Sequence, residues 1–127
     1  MWFWWFIMVC DMLIPITMII GGRLMWMRCP KDINSLSGYR TSRSMKNMDT
    51  WRFAHSYIGR LWWLLGLILL VPTVMAHIPF YNADDDLIGI VSLIVLAVHS
   101  IIIIASIFYT ERALKRRFND DGSRKEL

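Results

Sequence analysis

Three stretches of this 127-residue chain are long, apolar and nearly free of charge, and they constrain its fold more than any other feature. Trp2 to Gly22 carries one charge, Asp11. Leu61 to Ala83 and Leu87 to Tyr109 carry none, although His77 and His99 lie among them. Each reaches the roughly 20 apolar residues that cross a hydrocarbon layer about 30 Å thick. Backbone groups in lipid must find partners within the protein, so a span is a helix or part of a closed barrel. Strand-type alternation is absent, which leaves helices. The reading is an all-α membrane protein: three transmembrane helices and an ordered cytoplasmic loop between helices 1 and 2. In one membrane domain, the spans fall at 2–22, 48–78 and 87–109. The loop falls at 23–47, an outer turn at 79–86 and a cytoplasmic tail at 110–127.

The first span lacks a basic leader and a small-residue cleavage site, and Trp2, Phe3, Trp4, Trp5 and Phe6 crowd its start. That is an interfacial aromatic belt on a retained helix rather than a secretion signal. Composition agrees: 56% of residues are hydrophobic and the mean hydropathy is +0.43, more apolar surface than a soluble domain of this size hides. A soluble enzyme and a disordered chain are both excluded. So is a disulfide scaffold, because Cys10 and Cys29 stand about 28 Å apart if the stretch between them is helical.

The charges set the orientation. Eight of the 14 Lys and Arg lie between Arg23 and Arg60 and the other six between Arg112 and Lys125, while the connection after span two holds Asp84, Asp85 and Asp86. The positive-inside rule places the loop and the tail in the cytoplasm and the N-terminus outside. The net charge of +4 then divides sharply. Cytoplasmic segments carry 14 basic against six acidic residues, or +8, while the outer turn carries −3 and an ionised Asp11 carries −1. Basicity therefore reports orientation and requires no nucleic acid. The expected location is a bacterial cell membrane, with multiple passes.

The loop is longer than a connection needs to be. It offers Asn34, Tyr39, Arg40, Thr41, Arg43, Ser44, Lys46 and Asn47, with Gly38 as a turn. Asn47 is a helix N-cap with Asp49 in the first turn. Trp51, His55, Ile58 and Trp62 then fall on one helical face. Pro72 would kink this helix, and Pro79 helps end it. Arg40, Arg43 and Lys46, spaced three apart, are candidates to gather an anion such as an anionic lipid head group, or simply to hold topology.

The segment INSLSGYRTSRSMKNMDTWRFAHSYIG, Ile33 to Gly59, resembles the SdpI/YfhL family of small bacterial membrane proteins. The matching positions are Asn34, Gly38, Tyr39, Arg40, Thr41, Arg43, Ser44, Met45, Lys46, Asn47, Thr50, Trp51, Ala54 and Gly59. The Leu13–Pro15 segment and the three-span layout also look like the family. The resemblance implies immunity or resistance to a secreted, membrane-active peptide by non-enzymatic binding. The family's best-known member is longer, and this chain looks like its C-terminal module. The resemblance supplies no catalytic residues.

Within the spans, Asp11 and His99 sit at similar depths, so they are expected to approach each other, with Ser100 or Thr17 completing a polar cluster. Such a pair is either a relay or ligand site or a buried structural hydrogen bond. His77 lies near the outer end of span two; a haem between His77 and His99 is disfavoured by their different depths. No zinc-type spacing, phosphate loop or nucleophile elbow is present, so no metal or other cofactor is expected. Two alternatives to peptide resistance stand: a small transporter or channel with a polar path at Asp11 and His99, and a membrane enzyme or binder acting on a phosphorylated lipid. The expected partners are the bilayer, a peptide toxin, anionic lipid and further copies of the chain.

Overall fold

A computed structural model describes residues 2–125; Met1, Leu127 and Glu126, the last counted above in the tail's charge, lie outside the described residues. The chain forms α1 (Trp2–Met27), α2 (Met48–His77) and α3 (Asp85–Arg117), with a 3-10 turn at Ile78–Phe80. All three helices are long and apolar enough to cross a membrane. They overrun the uncharged stretches, because intrahelical hydrogen bonding continues into the polar ends while apolarity stops at the bilayer edge.

The helix starts follow from local chemistry. Asn47 and Thr50 make a reciprocal capping box at the head of α2: Thr50 N donates to Asn47 Oδ1 (2.9 Å) and Asn47 N donates to Thr50 Oγ1 (3.1 Å). Asp84 caps α3 by accepting from Leu87 N at 2.9 Å, with Asp85 and Asp86 in the first turn. Lys115, Arg116 and Arg117 close the opposite end, where the helix dipole favours cations. Pro72 lies inside α2 without ending it; the helix gives way to the 3-10 turn at Ile78, one residue before Pro79.

Packing is tightest between α1 and α2, and glycine is the reason. A Cβ at Gly22 would lie 2.6 Å from Gly59 O, and a Cβ at Gly59 would lie 2.6 Å from Gly22 O. Gly66 gives the same close approach to the Pro15 carbonyl, at 2.7 Å. Small residues let helix backbones touch where lipid removes the hydrophobic drive for association. α3 joins α2 through Trp62 Nε1, which donates to Ser106 Oγ at 2.8 Å.

The distribution of side chains is inverted relative to a soluble protein. Ile68, Val71, Met75, Leu93, Ile94, Ile101 and Phe108 face outward, while Asp11, Thr73, His77, Ser92, His99, Ser106 and Thr110 are buried. A bundle bathed in hydrocarbon behaves this way: exposed apolar groups cost nothing, and polar groups must be paired inside. Two apolar clusters bracket this interior. Trp4, Met8 and Ile88 lie near the acidic turn; Tyr39, Ala54, Ile58, Leu114 and Phe118 lie near the loop.

Candidate functional site

The first assembly is a polar cluster shared by all three helices. Asp11 of α1 is 1% exposed, and His77 and His99 are equally buried. Asp11 Oδ2 lies 2.8 Å from His77 Nε2, and Asp11 Oδ1 accepts from Ser92 Oγ at 2.9 Å. His77 Nδ1 lies 2.7 Å from the Thr73 carbonyl, and Thr73 Oγ1 lies 3.0 Å from His99 Nε2. His99 Nδ1 is buried and has no partner among the described residues.

These contacts correct the expected Asp11–His99 pairing. The bonded partners of Asp11 are His77 and Ser92, and His99 joins the cluster through Thr73. Helix rise explains the difference. Counted from the start of each helix, Asp11 lies nine residues into α1 and Ser92 seven residues into α3, but His99 lies fourteen in, about 10 Å further along the axis than Ser92. Ser100 bonds its own helix at Leu96 O, and Thr17 faces outward, so neither contributes. His77 stands deeper than its place at the end of α2 suggests, because a lid covers it. Trp4 Nε1 donates to His77 O at 2.9 Å, and the Trp4 ring packs edge-on against Tyr81 at 4.8 Å. The chain signalled this cluster through Thr73 and His77 four apart on α2, and Ser92 and His99 seven apart on α3. Each pair is polar and shares a helical face on an otherwise apolar element.

The second assembly is the loop motif, which ties the helix ends together. Asn34 Oδ1 accepts from Leu36 N (2.9 Å) and Ser37 N (2.8 Å), forming a side-chain-closed turn. Gly38 follows at φ +93°, and a Cβ there would stand 2.3 Å from His55 Nε2. That conformation delivers Tyr39 N to His55 Nε2 at 2.9 Å, while His55 Nδ1 faces the Trp51 carbonyl at 2.7 Å. His55 must therefore carry its proton on Nδ1 and accept on Nε2, a neutral tautomer fixed from both sides. Trp51 Nε1 donates to Pro30 O at 2.9 Å, bringing the segment after α1 onto α2.

Tyr39 reaches α3, its hydroxyl donating to Glu111 at 2.6 Å. Burial, and secondarily the Glu111 carboxylate, hold this phenol well above the usual tyrosine range. Ser44 is buried: its hydroxyl contacts Tyr39 O (3.0 Å) and receives Thr41 N (2.9 Å), and Ser44 O accepts from Thr50 Oγ1 at 3.0 Å. Asn47 Nδ2 donates to Gly122 O at 2.7 Å, which pins the tail.

The structure does not gather Arg40, Arg43 and Lys46 into one anion site. Arg43 contacts Asp120 at 3.2 Å and Glu111 at 3.9 Å, so its charge is balanced by carboxylates. Lys46 is exposed on the tail side. Arg40 donates to Ser35 O and lines a different opening. That opening is a cleft of about 590 Å³ beneath the loop. Gly38, Tyr39, Arg40 and Thr41 form its roof, and Leu24, Met25, Ile58, Trp62 and Ile107 form its apolar walls. The motif was legible in the chain; the cleft walls, drawn from three helices, were not. Both cysteines are unpaired, and burial raises the Cys29 thiol above its ordinary range, with Arg52 opposing.

Fold and loop together define a three-helix membrane-type protein whose loop after α1 is bonded to α2 and α3. The family model of the SdpI/YfhL protein family matches residues 31–110, and the chain belongs to that family. A Bacillus subtilis (strain 168) protein described as the uncharacterized protein YfhL is 46% identical over 52 residues. The match covers 41% of this chain and 47% of that relative, so the chain spans about half the relative's length. No solved structure matches the chain.

Proposed function

We propose that this chain confers resistance to a secreted, membrane-active peptide by binding it without catalysis, and that the cleft beneath the loop is the binding surface. The observation that carries the reading is the family match, which includes every residue of the cleft's roof. The chemistry of the cleft supports it. Apolar walls at the membrane edge, with the exposed guanidiniums of Arg28 and Arg40 and several backbone groups at the rim, suit an amphipathic peptide that has already partitioned into the bilayer.

In this reading the loop and tail face the cytoplasm of a bacterial cell, as the distribution of basic residues directs. The test is a strain lacking the gene, screened against secreted peptides while ion and solute flux are followed. Sensitisation to one peptide with unchanged flux supports the proposal; unchanged sensitivity to all of them removes it.

Transport is the second reading, favoured by the buried carboxylate–imidazole pair. It requires flux through reconstituted liposomes that is lost in Asp11→Asn. Peptide resistance requires no flux.

A further inference from the structure

We propose that the groove between α2 and α3 at the loop end is a binding site for one anionic phospholipid. This site is separate from the cleft beneath the loop and does not rest on the resistance reading. The groove encloses about 640 Å³. One part of its lining is apolar or aromatic, including Leu61, Leu64 and Tyr109; the other part carries Arg60, Arg112, Arg116 and Arg117.

The order of these residues along the helices gives the site its meaning. Arg60 is the last charge before the uncharged stretch of α2, and Glu111 and Arg112 are the first after that of α3. Leu61 and Leu64 then lie on the hydrocarbon side of the boundary, while Arg112, Arg116 and Arg117 lie on the aqueous side. A phospholipid has the same division: acyl chains along an apolar wall and a phosphate at the interface.

Charge identifies the head group. No Asp or Glu lines the groove. Among the described residues, none of the four arginines has a carboxylate within ion-pair distance. Glu111, beside Arg112 in sequence, is engaged by Tyr39 and Arg43 instead. Two of the cations rest on aromatic faces, Arg60 over Trp26 at 5.2 Å and Arg117 over Phe53 at 5.7 Å. Arg112 and Arg116 are left with no ion pair or ring contact of this kind. Guanidinium pairs of this sort grip phosphate oxygens through paired N–H donors.

The test is lipid retention by the full chain in detergent, read by native mass spectrometry. Phosphatidylglycerol, phosphatidylcholine and soluble glycerol phosphate serve as separate probes. One phosphatidylglycerol should bind in preference to phosphatidylcholine, and Arg112→Gln/Arg116→Gln should weaken it by about tenfold or more. Lys115→Gln removes one charge from the same turn outside this groove and should leave retention near wild type. Circular dichroism and melting confirm that each variant is folded. Equal retention of the two lipids, equal loss in Lys115→Gln, unchanged retention in the double variant, binding of glycerol phosphate as tight as of the lipid, or a co-purifying peptide in place of lipid would each overturn the proposal.

Discussion

Asp11 and His77 share a single proton across 2.8 Å. The neighbouring contacts fix that number. His77 Nδ1 faces a carbonyl, which only accepts, so Nδ1 bears hydrogen. The short contact on the other side then needs one more proton, carried either by His77 Nε2 or by the Asp11 carboxyl. With either placement the pair is neutral overall, which is how a carboxylate is accommodated at this depth.

A side-chain amide reproduces this arrangement. In Asp11→Asn, the amide oxygen accepts from Ser92 and the amide N–H donates to a neutral His77. Stability should stay within about 1 kcal/mol of wild type. Asp11→Ala strands both partners and should lose about 3–5 kcal/mol. Denaturant unfolding in detergent distinguishes the two; equal losses would show that the pair is not held as described.

Gly38 is required twice, by its φ of +93° and by the His55 ring in the place of its Cβ. Gly38→Ala should cost about 2 kcal/mol or more and release the Tyr39–His55 bond. Amide hydrogen exchange at Tyr39 measures that release. Unchanged protection would contradict the turn geometry.

Helix contact at Gly59 is backbone against backbone, so no flexible side chain can yield. Gly59→Ala should lower stability by about 1–3 kcal/mol. Gly89, with nothing within 4 Å of a Cβ, is the control. Gly89→Ala should be neutral or stabilising by up to about 1 kcal/mol through helix propensity. Thermal melts of the two variants should therefore move in different directions or by clearly different amounts.

The raised Tyr39 phenol makes a prediction about alkaline pH. The folded state keeps the proton that the unfolded state releases near its ordinary value of about 10. The contribution is therefore complete below pH 10 and falls as pH rises beyond it. Tyr39→Phe should lose about 1 kcal/mol at neutral pH, from the missing bond to Glu111, and show a shallower alkaline decline. Parallel stability–pH curves for the two proteins would refute this.

The three helices were legible because the bilayer imposes length and apolarity residue by residue, and the capping role of Asn47 was visible for the same local reason. The partner of Asp11 was harder to read. Depth counted from span ends treats each helix as starting at the same plane, whereas the Trp4–Tyr81 lid and the turn after His77 shift that origin. His77 therefore lies at the level of Asp11, and His99 lies beyond. Spacing in sequence does not show where carboxylates sit: Glu111 and Asp120 claim Arg43 from α3 and the tail, apart from Arg40 and Lys46. The cleft and the arginine groove are lined by residues from helices far apart in the chain, a juxtaposition that no local pattern encodes.

The most direct test of the proposed role is protection of a deletion strain against the peptide to which it is sensitive, comparing wild type with Arg40→Ala at equal membrane abundance. Arg40 lines the cleft and is exposed, while the main loop anchors, Tyr39, Ser44 and Thr50, are kept. Wild type should restore growth across the dose range, and the folded Arg40→Ala protein should leave the strain substantially more sensitive. Full protection by Arg40→Ala, or no protection by wild type, would contradict the account.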